Sequence, residues 1–309
     1  MIYAMSDIHG CLVPLNAALE TVDLRDGCSK LILLGDYCDR GPDSLQVYER
    51  IMRLQDEYPG QVVALRGNHE EMLLEYCDMV ADPDYARAWM LADSELATTK
   101  SFLGAKAFAQ VVHMLKLRRF EDAYRFSVER MKADRANVLS WIRSLPYFYE
   151  TPTQVFVHVG IDEDAGDLWR IGTPPEFFTA MMPGYVGRHF DLDVIAGHIT
   201  TETISGIPGY RGIWHDGASH YYIDGNAVEN GRVLVLRYDE ATGKYSGEGL
   251  ERGRLRLRPT TFLVCCHSQA GCAGGVARII CPRKQAGWEK ASRPEDQLFR
   301  PAFVLRSGV

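Results

Sequence analysis

Five short apolar runs in the first 200 residues each end in an Asp, His or Asn, usually beside a glycine. No other feature of this 309-residue chain limits its fold as tightly. Ile2–Met5 runs into Ser6-Asp7-Ile8-His9-Gly10, and Leu31–Leu34 into Gly35-Asp36-Tyr37-Cys38-Asp39-Arg40-Gly41. Val62–Leu65 runs into Arg66-Gly67-Asn68-His69-Glu70, Val155–Val157 into His158-Val159-Gly160, and Val194–Ala196 into Gly197-His198. Between the first three runs the apolar period is helical, at Leu12, Leu15, Leu19 and Val22 and again at Leu45, Tyr48 and Met52. This β-α-β-α-β opening predicts parallel strands covered by helices. In such sheets ligands gather at the carboxyl ends of the strands, where glycine lets the backbone turn close to a bound ion or phosphate.

From about 70 to 145 the chain turns to Ala, Leu, Arg, Glu and Met with almost no Gly or Pro, which predicts a helical insertion at about 71–145. The later half returns to short strands, among them Tyr221–Ile223 and Val233–Leu236, separated by loops such as Gly206-Ile207-Pro208-Gly209. Residues 251–309 carry 11 basic and 4 acidic residues, which leaves 23 and 37 to the first 250 within a total charge of −7. The expected organisation is therefore a functional domain over 1–250 and a basic C-terminal appendage over 251–309 with no assigned role. An acidic chain without Lys/Arg runs argues against nucleic-acid and anionic-membrane partners. No apolar run reaches the ~20 residues of a membrane span, and the first residues lack the pattern of a signal peptide. The eight Cys contain no C-x-x-C pair and read as reduced thiols, which places the expectation in the cytoplasm.

Asp7, His9, Asp36, Asn68, His158 and His198 are hard-to-borderline ligands without a thiolate, suited to Mn, Fe, Zn or Ni. Six are too many for one tetrahedral ion and suit two divalent ions sharing a carboxylate, ~3.5–4 Å apart. Two such ions, two carboxylates and a hydroxide, with Arg40 and Arg170 nearby, make a net positive pocket for a phosphate dianion inside an acidic protein. Distant surface charge is no obstacle, since it is screened beyond ~8 Å at physiological salt. Taken singly, these residues have plainer roles. An Asp after a strand caps a turn, as expected for Asp224 in Ile223-Asp224-Gly225. His113, His189, His215, His220 and His267 read as surface or core residues, and Arg66 as a structural ion pair.

The ordered set Asp7-x-His9-Gly10, Gly35-Asp36-x-x-Asp39-Arg40-Gly41, Gly67-Asn68-His69-Glu70, His158-x-Gly160 and Gly197-His198 resembles the phosphoprotein phosphatase family of calcineurin-like metallophosphoesterases. The likeness is to the bacterial and phage serine/threonine phosphatases and runs from residue 1 to roughly 240. It implies an α/β fold, a four-layer αββα sandwich with two metal ions, Mn²⁺ foremost, between the sheets. Asp7, His9 and Asp36 would hold one ion, and Asp36 would bridge to a second held by Asn68, His158 and His198. A bridging hydroxide would attack phosphorus in line, His69 would protonate the leaving group with Asp39 orienting it, and Arg40 and Arg170 would bind phosphate. The sequence departs from the family at Ser6, where Gly is usual, and at Val159, where Gly or Ala is usual.

The implied activity is hydrolysis of phosphoserine and phosphothreonine in a protein or peptide partner. The alternative is a diadenosine polyphosphate or nucleotide, although those relatives carry Ala-Arg-Gly and Gly-Asn-His-Asp where this chain has Asp39 and Glu70. A non-catalytic scaffold would need neither Asp39 nor His69. Trp169, Tyr185, Tyr210 and Trp214, in loops 161–192 and 199–220, are expected to rim the pocket. Cys272 and Arg278 have the C-x5-R spacing of cysteine phosphatases, but no strand leads into the Cys, and chance supplies about one such match here.

Overall fold

A computed structural model describes residues 1–78, 96–181 and 184–250. The appendage expected at 251–309, with its C-x5-R segment, lies outside the described residues, as does part of the helical insertion.

The strands are β1 (Ile2–Met5), β2 (Lys30–Leu33), β3 (Val62–Ala64), β4 (Phe148–Glu150) and β5 (Gln154–Val157). They continue with β6 (Asp193–Thr200), β7 (Trp214–His215), β8 (His220–Asp224), β9 (Leu236–Asp239) and β10 (Lys244–Ser246). They form two five-stranded sheets, in the orders β10-β9-β1-β2-β3 and β4-β5-β6-β8-β7. β1, β2 and β3 are parallel neighbours, as the opening pattern predicts, and β5, β6 and β8 are the parallel centre of the second sheet. Both sheets have antiparallel edges, so each is mixed.

The alternation of side chains along the strands builds the layers. Ile2 and Ala4 of β1, with Ile32, face Phe156, Ile195 and Ile223 of the other sheet in the inner core. Tyr3, Met5, Leu31 and Leu33 point the other way, against helices Leu12–Leu19, Ser44–Glu57 and those of the insertion. Strands buried on both faces read as continuous apolar runs, which is why these four-residue stretches stand out in the sequence. The insertion contributes helices Ala97–Lys116, Phe120–Asp134 and Ala136–Ser144 to that layer.

The fourth layer is thinner than expected. Val155, Val157, Val194, Ala196 and Tyr222 on the outer face of the second sheet are covered by Trp169, Phe178 and Trp214. The helices described there are short: Trp169–Gly172, Pro175–Thr179 and Thr201–Ser205, with a 3-10 turn at Glu163–Leu168. Trp169 and Trp214 are 2% and 4% exposed and therefore core residues, not a pocket rim. Tyr185 and Tyr210 are half-buried, with their hydroxyls donating to Asp162 and to the carbonyls of Ile213 and Gly249. At the amino ends of β5 and β6, Tyr245 of the first sheet accepts from Gln154 and donates to Asp193 of the second. Its ring packs 4.2 Å from Tyr221, which locks the sheets together at the end away from the strand-end motifs. None of the described helices is long and apolar enough to cross a membrane.

Candidate metal centre

The strand ends bend sharply where the motifs sit. Asp7, His9, Asp36, Asp39, Arg40 and His198 all have positive φ, between 46° and 67°. Non-glycine residues adopt this region at a cost and do so in numbers at functional sites. The turns interlock: Asp7 N donates to Gly35 O, His9 N to Asp36 O and Gly10 N to Tyr37 O. His198 lies where the register of β6 on β8 shifts between Ala196 and Thr200, an irregularity that re-aims its side chain. Gly67 and Gly197 are required by close approach. A Cβ on Gly67 would meet the Asp36 carboxylate and its N–H, and one on Gly197 would meet Ser6 Oγ and the Asp7 carboxylate.

All six expected ligands converge. Asp7, His9, Asp36 and His158 are at most 2% exposed. His9 Nδ1 donates to Cys38 O at 2.9 Å and His158 Nδ1 to Leu34 O at 3.0 Å, so in the neutral imidazole Nε2 is the nitrogen that carries the inward-facing lone pair. His9 Nε2 lies 3.6 Å from Asp36 Oδ2 and 3.9 Å from Asp7 Oδ1. On the other side of Asp36, His158 Nε2 lies 3.3 Å from Oδ1, 3.0 Å from Asn68 Oδ1 and 3.2 Å from His198 Nδ1. Donor atoms thus collect in two groups that share Asp36, one with His9 and His69 and the other with His158 and His198.

The donor set fits cations. His9 Nε2 and Asp7 Oδ1 are buried with no hydrogen-bond partner, which is costly unless something else occupies them. Asn68 turns its carbonyl oxygen on two imidazole nitrogens, where hydrogen bonding alone would prefer its NH₂. Divalent cations, one on each side of Asp36, would satisfy these atoms.

The fields in the site are strong. Burial opposes the charge on Asp36, yet the imidazoles of His158 and His69 hold it well below the usual carboxylate range. Burial works against charging His69 and His158, but the Asp36 carboxylate, joined by Asp39 at His69 and by Asp7 and Glu70 at His158, outweighs it and pushes both up to about 9. His9 and His198 are pushed down to about 4, first by burial and then, for His198, by the charge of His158. Asp7 is raised, chiefly by burial.

His69 stands in the first turn of helix Asn68–Asp78, and Asp39 Oδ2 accepts from its Nδ1 at 2.6 Å. Its Nε2 is 3.9 Å from Asp36 Oδ2. Asp39 is itself held by Thr98, whose hydroxyl donates to Oδ1 at 2.6 Å. Thr98 has no signal in the sequence, because it arrives from a helix 59 residues away. Arg40 is exposed, and its charge is felt by His9, His69 and His198.

Arg170 is placed elsewhere. Its guanidinium donates to Glu150 at 2.6 and 3.2 Å and lies over the Trp169 ring. Glu150 pairs with Val155, three residues before His158 and so about 10 Å down the strand. The short Leu168-Trp169-Arg170 motif led to an outer-face salt bridge instead of a phosphate clamp. Arg66 is structural as expected, though it binds carbonyls and not an acid: it donates to Arg143 O at 2.6 Å and packs on Tyr147. Asp224 caps its turn by accepting from Asn226 N, but it is also 2% exposed, and after burial the Asp7 charge is what raises it.

A family model described as calcineurin-like phosphoesterase matches residues 1–202. The chain belongs to that family. Among curated relatives of this phosphoesterase, the symmetrical bis(5'-nucleosyl)-tetraphosphatase of Chromobacterium violaceum is 41% identical over 73 residues, 24% of this chain and 25% of the relative. That of Thioalkalivibrio sulfidiphilus is 27% identical over 180 residues, 58% of this chain and 48% of the relative. The matched segments span about half of these relatives or less. A solved structure of a putative diadenosine tetraphosphatase is 16% identical with a TM-score of 0.47, covering 80% of this chain and 91% of its own. A yeast protein serine/threonine phosphatase is 13% identical with a TM-score of 0.45, covering 82% and 81%. At those scores the structural likenesses carry no argument about substrate.

Proposed function

We propose that Asp7, His9, Asp36, Asn68, His158 and His198 hold two divalent cations and that the centre hydrolyses dinucleoside polyphosphates of the diadenosine tetraphosphate type. The observation that carries the metal-dependent hydrolysis is the pair of buried donor groups meeting at one carboxylate, Asp36. The substrate class rests on the curated relatives, which are named as symmetrical tetraphosphatases over the segments they share with this chain. Bound there, divalent cations would polarise phosphoryl oxygens and supply an ionised water at neutral pH.

The chain's own groups do the rest. Arg40, exposed beside the imidazoles, offers a fork of donors to phosphate oxygens. The positive end of helix Asn68–Asp78 faces the same place. Asp39 accepts from His69 Nδ1 and so orients the ring, which makes Nε2 the proton donor to a departing oxygen.

The Thr98–Asp39–His69 relay favours a second reading, a phosphoserine or phosphothreonine substrate. A serine or threonine alkoxide is a poor leaving group and needs a proton, whereas a nucleoside diphosphate leaves readily without one. Rates on diadenosine tetraphosphate, a phosphoserine peptide and p-nitrophenyl phosphate, with Mn²⁺ supplied, separate the two. The first reading predicts the highest kcat/KM on diadenosine tetraphosphate, with Arg40→Ala raising KM. In His69→Asn, hydrolysis of an alkyl phosphate falls ~10²–10⁴-fold and that of a good leaving group much less. A phosphopeptide preferred over diadenosine tetraphosphate would reverse the choice.

A further inference from the structure

Glu70 is fully buried and accepts four hydrogen bonds. Its Oε2 receives Asp36 N at 2.8 Å and Gly67 N at 3.0 Å, and its Oε1 receives Tyr37 N and the Tyr48 hydroxyl, both at 2.9 Å. The donors belong to the turn after β2, the turn after β3 and the helix Ser44–Glu57. We infer that Glu70 is a positioning residue for the metal centre: it clamps the two turns so that Asp36 presents one carboxylate oxygen to each donor group.

The inference rests on the metal-centre reading above, and its logic is local. Asp36 has φ +57°, a conformation that persists only when its surroundings impose it. Its own N–H is fixed by Glu70, and its Oδ1 accepts from His69 N at 3.1 Å, so backbone and side chain are both anchored to the turn after β3. Three of the four partners of Glu70 are backbone N–H groups, which can only donate. An ionised carboxylate answers all four, since it only accepts. A glutamine of the same size would turn its NH₂ on at least one N–H. A role in packing alone would be met equally well by glutamine, so the amide separates the two roles.

The test is Mn²⁺ affinity by titration calorimetry on the full chain, with kcat and KM on p-nitrophenyl phosphate, for wild type, Glu70→Gln and Tyr48→Phe. Groups that orient metal ligands without touching the ion change affinity or activity by ~10–100-fold when removed. Glu70→Gln is expected to fold, to bind Mn²⁺ more weakly by that factor, and to lose kcat more than it gains KM. Tyr48→Phe removes one donor of four and is expected to weaken Mn²⁺ binding by a smaller factor. Glu70→Gln with wild-type Mn²⁺ affinity and kcat would overturn the inference. Should Glu70→Gln not fold, unchanged affinity in Tyr48→Phe would overturn it instead. A wild type that binds no Mn²⁺ would refute the metal centre itself, a distinct outcome.

Discussion

Asp36 Oδ1 faces His158 while Oδ2 faces His9, and that divided geometry depends on what a neighbouring residue lacks. Gly67 has no side chain, and a methyl there would run into the Asp36 carboxylate and its N–H. Gly67→Ala is therefore expected to weaken Mn²⁺ binding at least ~10-fold, as disturbance of ligand-orienting groups does. Calorimetry checks this, and wild-type affinity in the alanine variant would show that Asp36 tolerates displacement. At this scale most of the site was legible in the sequence. Asp, His and Asn at successive strand ends can be recognised because each follows an apolar run and has a glycine within three residues. Thr98 was not legible, because it meets Asp39 through tertiary packing of a distant helix. Arg170, expected to bind phosphate, ion-pairs with Glu150 in this structure, and a three-residue motif does not specify which face of the sheet its side chain reaches.

Among the elements, the outer face of the second sheet depends on one buried charge cluster in addition to its thin helical cover. His220 of β8 is 3% exposed and gives Nδ1 to Asp216 and Nε2 to Glu163, both at 2.6 Å. Asp216 also accepts from Gly187 N, so the cluster ties β8 to the segments at 163 and 187. Burial alone would lower His220, but the Asp216 and Glu163 hydrogen bonds raise it from 6.5 to about 9. Asp216 drops to about 2: burial works against its charge, but the His220 bond and the N–H groups of Gly187, Ala218 and His220 together outweigh it. The histidine contribution is thus complete below pH 6.5 and lost as pH climbs through about 9, and the Asp216 contribution is lost only as pH falls through about 2. His220→Leu leaves two buried carboxylates unpaired, at a cost of ~3–5 kcal/mol. Thermal unfolding at pH 6 should show Tm lower by on the order of 10 °C. In the variant, the fall in stability from pH 6.5 to 9 should largely vanish. An unchanged Tm and pH profile would remove the cluster from the account. Plain sequence reading treats His220 as an ordinary core or surface histidine. Its partners are four and 57 residues away, and only the folded chain brings both to the ring.

Across the whole molecule, two five-stranded sheets bring their strand-end turns together at one end, while Tyr245, Gln154 and Asp193 bind the sheets at the other. This arrangement concentrates Asp7, Asp36, Asp39, Glu70 and Asp224, all at most 4% exposed, at the same end of the fold. So many buried carboxyls strain a folded chain unless cations compensate them, and a ligand that binds only the folded state stabilises it, by ~2.7 kcal/mol at a hundred times its Kd. The parallel strands under helices were legible from the apolar runs because both faces of the central strands are buried, whereas the four-layer order followed from the family resemblance. The thinness of the fourth layer was not legible, since helices of four and five residues leave too short a period to detect. The central claim, two cations sharing Asp36, is tested most directly by counting bound Mn²⁺ per chain after loading and gel filtration, in wild type and in Asp36→Asn. Two equivalents in wild type and the loss of both tight sites in the variant are predicted. A wild type that retains no metal, or an Asp36→Asn protein that keeps two ions at undiminished affinity, would contradict it.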